Sequence, residues 1–386
     1  MPKTPIRALT IGVAEPHPLP VRVVEEMAGK LGQTRDAFEQ AGYEVQTVRL
    51  SARPVLVDLA GWASEVIVSY GAELQGALEA AGVPFCSLGP APRDASAEQM
   101  NALVDLIAKR EGLNGSVMVA TADEGLDVGA ARAAAEVMKR LAAETEEGFG
   151  NFSFAALACV APGAPFFPAA YHAGPDNLSI GLQGAGIVAE ALEGGAALVE
   201  VTGRALEALL RHGGPVVEIA QQQSGALGLE FAGIDLSPAP HVDDSIVGAI
   251  ELAGHGPLGG PGTLALVAAL TVALKSTGLP TCGFCGLMLP VMEDAVLARR
   301  WAEGRLGLDQ LLAYSAICGT GLDTVPLPGD CSVEDLTKVI CDMASLAVRL
   351  RKPLSARLLP VPGKLAGETT SFSSPYFTDT LIKPLR

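Results

Sequence analysis

Along the chain, short runs rich in Val, Ile, Leu and Ala alternate with longer stretches whose apolar residues recur every third or fourth position. That is the signature of strands separated by amphipathic helices. Ile6 to Val13 reads as the first strand and Val21 to Ala41 as the helix that follows it. Glu44 to Leu50 is a second strand, followed by a helical stretch from Leu56 to Ala81. Phe85 to Leu88, Val117 to Ala120 and Ala155 to Val160 are short strands with helices between them. The helix over Leu126 to Thr145 ends in Glu144, Glu146 and Glu147, read as a solvated surface turn. Ala161 to Ala170 carries three prolines and two phenylalanines and is expected to be a loop over the body of the protein. Leu178 to Leu182 is a further strand, and a helix starts at Gly186.

The pattern continues with a strand at Leu229 to Leu236, which runs into Ser237-Pro238-Ala239-Pro240-His241 and a helix from about Asp243 to Leu252. Gly259-Gly260-Pro261-Gly262-Thr263 opens the next helix, with Pro261 suited to its first position. From Leu264 to Leu274 that helix is apolar on nearly every side, which predicts burial all round. Thr281 to Val291 is a Gly- and Cys-rich strand or loop, and Glu293 starts another helix. Ser332-Val333-Glu334-Asp335 is a capping box that opens a helix stopped by Pro353, and Ala356 to Val361 is the last strand before a loop-like tail. Alternation of this kind predicts an α/β architecture. One domain over residues 1–386 is expected, with a weak seam near 148–151.

Composition narrows the class. At 386 residues with 49% hydrophobic side chains, the chain can build a large core and is not disordered. Aromatics are only 5%, so that core must rest on Ala, Leu and Val. The formal charge, 27 − 43 = −16, argues against nucleic-acid and anionic-membrane partners, which need a basic footprint. Seven cysteines, an odd number without framework spacing, read as reduced thiols in a cytoplasmic protein with no signal peptide. The longest apolar run, Leu264 to Leu274, falls short of the ~20 residues of a membrane span.

Several positions could carry chemistry. His241, Asp243 and Asp244 lie where a strand gives way to a helix, either as an acid/base pair or as helix capping. His241 and Asp244 are also candidate ligands for a divalent metal. Glu293-Asp294 divides the same way between catalysis and dipole pairing, and Asp323 follows the flexible turn Cys318 to Leu322. The turn containing Gly260, Gly262 and Thr263 offers free N–H groups to an anion, with Arg357 and Lys364 as balancing cations. Cys282 and Cys285 form a CxxC without a second pair for zinc, and divide among buried structural thiols, substrate contacts and a redox or metal role. The Gly-rich run Gly181 to Ala189 resembles a dinucleotide turn, but only ~14 residues separate Gly186 from Glu200 where ~20 are usual, so a nicotinamide cofactor is not expected.

Phe231-Ala232-Gly233-Ile234-Asp235-Leu236-Ser237, the GGPGT turn, Gly286 to Asp294, Cys318 to Asp323, Pro328-Gly329-Asp330 and Arg357 to Lys364 occur in this order. Together they resemble the uncharacterised family called domain of unknown function 711, sometimes labelled PFL-like. The resemblance implies a large α/β barrel related to pyruvate formate-lyase and a homodimer. It assigns no reaction. A glycyl radical loop needs a glycine, and the tail Ser371 to Arg386 has none, so radical chemistry is not expected. The reading that results is a cytoplasmic barrel enzyme doing lyase, isomerase or hydrolase chemistry on a small anionic metabolite. His241, Asp243, Asp244, Glu293 and Asp323 are expected to converge on one cavity, and Arg357, Lys364 and the Gly259 to Thr263 turn to hold the anion. The alternatives are a non-catalytic metabolite-binding or scaffolding protein and a divalent-metal enzyme.

Overall fold

The computed structural model describes residues 3–242, 244–317 and 319–385. Strand β1 (Ile6–Gly12) buries every residue except Arg7. Helix α1 (Val21–Gln40) covers the strands through Val23, Val24, Met27, Leu31 and Phe38, which recur at helical spacing. The strand expected from Glu44 is ordered only over β2 (Val48–Ser51). The helical stretch after it divides into α2 (Val55–Asp58) and α3 (Ser64–Ala80), with Gly61 at φ 85 between them. Then come β3 (Phe85–Ala91), α4 (Ala97–Ala108), β4 (Leu113–Thr121), the short β5 (Gly125–Leu126) and α5 (Val128–Glu144). Ser96 and Asp127 cap the two helices through side-chain bonds to Gln99 N and Ala130 N. A 3-10 segment, Glu146–Ser153, leads into β6 (Phe154–Ala158), and β7 (Asn177–Leu182) follows after a long loop.

The rest comprises α6 (Ala185–Leu192), α7 (Leu198–Leu227), β8 (Glu230–Asp235), α8 (Ile246–Glu251) and α9 (Thr263–Lys275). After these come α10 (Ala295–Ala302), α11 (Leu308–Ile317), β9 (Gly321–Pro328), α12 (Val333–Leu350) and β10 (Leu354–Val361). The Ser332 capping box holds, with Asp335 as its reciprocal partner. Two expectations for α9 fail. Pro261 lies outside the helix, whose N-cap is Gly262 at φ 94. Burial is one-sided, since Leu264 and Val272 are 46% and 53% exposed. None of the described helices is long and apolar enough to cross a membrane.

The architecture is mixed α/β around one ten-stranded sheet ordered β8-β7-β1-β2-β3-β4-β6-β10-β9, with β5 beside β4. The ladder is open, running from β8 to β9, so the hydrogen-bonded sheet is not a closed barrel. β1, β2, β3, β4 and β6 are mutually parallel. β7 and β8 flank them antiparallel on one side, and β10 and β9 on the other. This orientation brings the C-terminal ends of the flanking strands beside the N-terminal starts of the central ones, as in the pairing of Leu182 with Ile6. The segment after α9 touches both edges of the sheet: Thr281 bridges Ile234 of β8, and Pro290 bridges Asp323 of β9, both in parallel.

Residues 161–172 form the expected loop, and it packs directly against the sheet. Thr10 Oγ1 donates to the Pro165 carbonyl at 3.1 Å and Ser87 Oγ to that of Ala170 at 2.5 Å. A Cβ at Gly181 would stand 2.8 Å from the Phe166 ring, and one at Gly12 would stand 2.1 Å from His172 Nδ1. The sheet therefore carries glycine, serine and threonine on this face because a loop, with its own polar backbone, is what covers it.

Candidate functional site

A cavity of about 1400 Å³ opens at the N-terminal ends of the central strands and receives side chains from β1, β2, β3, β4, β6, β9 and β10. Three adjoining elements build its charged centre. β9 and β10 run in parallel with Leu322 beside Ala356, which brings Asp323 and Arg357 onto neighbouring strands. Val291 N donates to the Asp323 carbonyl at 2.9 Å, and this delivers Glu293, two residues on, to the same place. Arg357 Nε then donates to Asp323 Oδ1 at 2.6 Å and Nη2 to Glu293 Oε1 at 2.5 Å. The guanidinium also lies 4.8 Å from the Phe152 ring centre.

All three side chains are buried. Burial opposes the charge of Arg357, but Asp323 and Glu293 together outweigh it and raise its pKa. Glu293 moves upward from its ordinary 4.5: burial and the negative Asp323 disfavour its charged form more than Arg357 and Arg7 favour it. The folded chain therefore holds this proton at pH values where the unfolded chain has released it. Its stabilising effect is complete below the ordinary carboxylate range and is lost as pH rises through the folded value. Glu293→Gln is expected to flatten the decline in stability from pH 4.5 toward neutrality, read as urea midpoints across that range. An unaltered slope would show that Glu293 does not titrate as its surroundings require.

The remaining candidates divide. His241 lines the cavity, and Val242 N donates to the Glu293 carbonyl at 2.9 Å, so the two segments run side by side. Asp243 lies outside the described residues. Asp244 accepts a bond from Gln183 Nε2 at 2.6 Å. Asp294 is structural: it caps α10 through Val296 N and Leu297 N and binds Ser245 Oγ and Val247 N of the α8 start. Among the described residues, the cavity wall does not include Gly260, Gly262, Thr263, Lys364, Cys282 or Cys285. Thr263 Oγ1 instead accepts from Gly259 N within its own turn, and the Lys364 carbonyl accepts from Gly329 N. Burial pushes Cys285 up to about 12 and Cys282 well above its usual value, so both stay as thiols. Also among the described residues, no group of three or more His, Cys, Asp or Glu side chains is arranged to hold a metal.

The sequence model of the family described as Uncharacterised ACR (DUF711) matches residues 3–373. This chain belongs to the DUF711 family. It is 31% identical to the UPF0210 protein of Pyrobaculum aerophilum, over 94% of this chain and 86% of that one. Identity to the UPF0210 protein of Desulforudis audaxviator is also 31%, covering 95% and 88%. The UPF0210 protein of Actinobacillus pleuropneumoniae is 28% identical, covering 95% and 87%. These names carry no activity, so function in this DUF711 chain has to be argued from the cavity.

Two further arginines of the DUF711 cavity escaped the reading of the sequence. Arg7 Nη2 stands 3.8 Å from Glu293 Oε2, and its Nη1 donates to Gln46 Oε1 at 3.4 Å. Arg49 Nε donates to Thr47 Oγ1 at 2.9 Å, and its guanidinium carbon lies 5.1 Å from the Phe167 ring centre and 5.8 Å from that of Phe85. A signal was present. In both Ile6–Gly12 and Val48–Ser51 an arginine is the second residue of an otherwise buried strand, the position where a cation needs a reason to sit.

Proposed function

We propose that the cavity is a catalytic site for proton transfer on a small organic anion, with Glu293 as the acid/base group. The observation that carries this reading is the buried Glu293–Arg357–Asp323 cluster on the wall of a cavity of about 1400 Å³. A general acid works best when its pKa approaches the working pH, and burial moves Glu293 in that direction. Arg357 binds the carboxyl and Asp323 anchors Arg357, and on this reading His241, which also lines the cavity, passes the proton to solvent. Backbone strain supports the assignment. Three of the six described non-glycine residues at positive φ are Val242, Cys285 and Thr324, in the segments that adjoin this site. Lyase and isomerase chemistry both use such a group. The bridges from Thr281 to β8 and from Pro290 to β9 favour a barrel-like enclosure of the kind the pyruvate formate-lyase resemblance implies.

The test is isotopic. Purified protein is incubated in D2O with a pool of cellular carboxylic acids, and mass spectra are compared with those of Glu293→Gln. One or more acids are expected to gain deuterium at a rate that falls by about 10²–10⁴-fold in the variant. If no acid exchanges in a Glu293-dependent way, the proton-transfer reading fails. Binding without exchange would leave a metabolite-binding protein, and exchange abolished by a chelator would indicate a divalent-metal enzyme.

A further inference from the structure

Resting on that reading of the cavity, we infer that Arg49 is the receptor for the substrate's acidic head, and that the substrate is a monocarboxylate carried on a flat, apolar body. The argument starts from charge. Arg7, Arg49 and Arg357 face Glu293 and Asp323, an excess of one cation when both acids are ionised. Arg357 is shared between the two carboxylates and Arg7 leans on Glu293, so the excess lies on Arg49. Among the described residues, no carboxylate lies within ion-pair distance of Arg49, and only its Nε is hydrogen-bonded. The Nη1 and Nη2 end of the fork is therefore the part left for a ligand, and a carboxylate fits it with two parallel bonds.

The rings of Phe167 and Phe85 lie 5.1 and 5.8 Å from this guanidinium, and their faces attract its charge. Burial and the neighbouring Arg7 work against the charge of Arg49 more than the more distant Glu293 favours it, a deficit that a bound anion reduces.

The body of the substrate follows from the wall. Aromatics make up 5% of the chain, yet six of its 11 phenylalanines, at 85, 149, 152, 166, 167 and 284, line this one cavity. Flat rings prefer flat partners. The rim opposes higher charge: Glu44, Glu111, Glu144, Glu146 and Glu147 stand against Lys109 and Arg110. A dianion such as a phosphate monoester would meet that rim and, while Glu293 and Asp323 are both ionised, exceed the single spare cation inside.

Calorimetric titration of the purified full chain with 3-phenylpropionate, its neutral amide and phenyl phosphate tests this. The acid is expected to bind at least about tenfold more tightly than either analogue, a discrimination ordinary for one charged contact. Arg49→Met is expected to cost the acid about tenfold or more while leaving the amide unchanged, and Arg49→Lys to fall between. Equal affinity for acid and amide, tighter binding of the phosphate, no binding of the acid by the native chain, or an Arg49→Met protein that binds the acid normally would each overturn the inference. Because the ligand series is run on the native chain, the result stands even where Arg49→Met does not fold. The readout is binding without turnover, so the receptor and the proton-transfer roles fail separately. Loss of Glu293-dependent exchange leaves Arg49-dependent binding intact, and the reverse holds for an Arg49 failure.

Discussion

Replacing Arg357 with methionine is expected to destabilise the protein by about 3–5 kcal/mol, the cost of stranding a buried charge by removing its partner. Arg357 is 8% exposed and its guanidinium is the shared donor to Asp323 at 2.6 Å and Glu293 at 2.5 Å. Without it, two acids held beside each other on adjoining backbone must either ionise unpaired or take up protons. The loss should therefore be largest at neutral pH and smaller in acid, where protonation removes the repulsion. The check is urea unfolding at both pH values, together with a triple variant that adds Glu293→Gln and Asp323→Asn. Neutralising the acids should recover much of the loss, because the cost lies in the uncompensated charges and little of it in lost packing. A triple variant no more stable than Arg357→Met would show that the arginine supports the fold through its stem and its contact with Phe152.

Asp235→Ala is the second large effect, at roughly 3–5 kcal/mol, since each buried donor left without a partner costs about 1–3 kcal/mol. Asp235 is completely buried at the end of β8 and accepts from Ser237 N at 2.9 Å, Phe284 N at 2.8 Å and Cys285 N at 3.0 Å. Burial raises the pKa of its carboxyl despite these bonds. It holds the segment that carries Phe284 and Met288 to the cavity. Limited proteolysis should accordingly show new cleavage near residues 282–288 in Asp235→Ala and much less in Asp235→Asn, whose amide oxygen still accepts. Equal resistance in both variants and the native chain would mean that the segment is held by its other contacts.

Much of the fold was legible one element at a time. The strand at Ile6, the helix from Val21, the cap at Ser332 and the last strand before Val361 all depend on periodicity and side-chain-to-backbone bonds within a few residues. Local rules failed where tertiary contacts overrode them. Gly321–Pro328, with Gly, Asp and two prolines, has no strand signature and overlaps the turn read over Cys318 to Leu322, yet it is the edge strand β9, pairing with β10. Prolines are tolerated on such an edge, where half of the backbone groups need no ladder partner. Helix α7 runs 30 residues through Pro215, a position where local rules expect a break. Loop 161–172 was legible as a loop, but not the face of the sheet it covers, where small side chains receive it.

The candidate site followed the same division. The identities of His241, Glu293, Asp323 and Arg357 stood out in the sequence as charged or titratable residues beside strand ends, and the cavity contains all of them. Their roles did not follow. Arg357, expected to hold an anion, is engaged by the two acids. Arg49, which attracted no notice, is the cavity arginine with no carboxylate of the described residues within ion-pair distance.

The amino-acid pattern by itself determined many of the strands and helices, that the core is aliphatic and that acids and a histidine follow the strands of the C-terminal half. Only the tertiary structure decided which of those groups share a dielectric environment. Secondary structure is set by neighbours a few residues apart, whereas charge pairing depends on distance in space. The order β1-β2 sets residue 7 beside 49 and the order β10-β9 sets 323 beside 357, while Glu293, carried on the segment bridged to β9, meets both Arg7 and Arg357; short-range patterning encodes none of this.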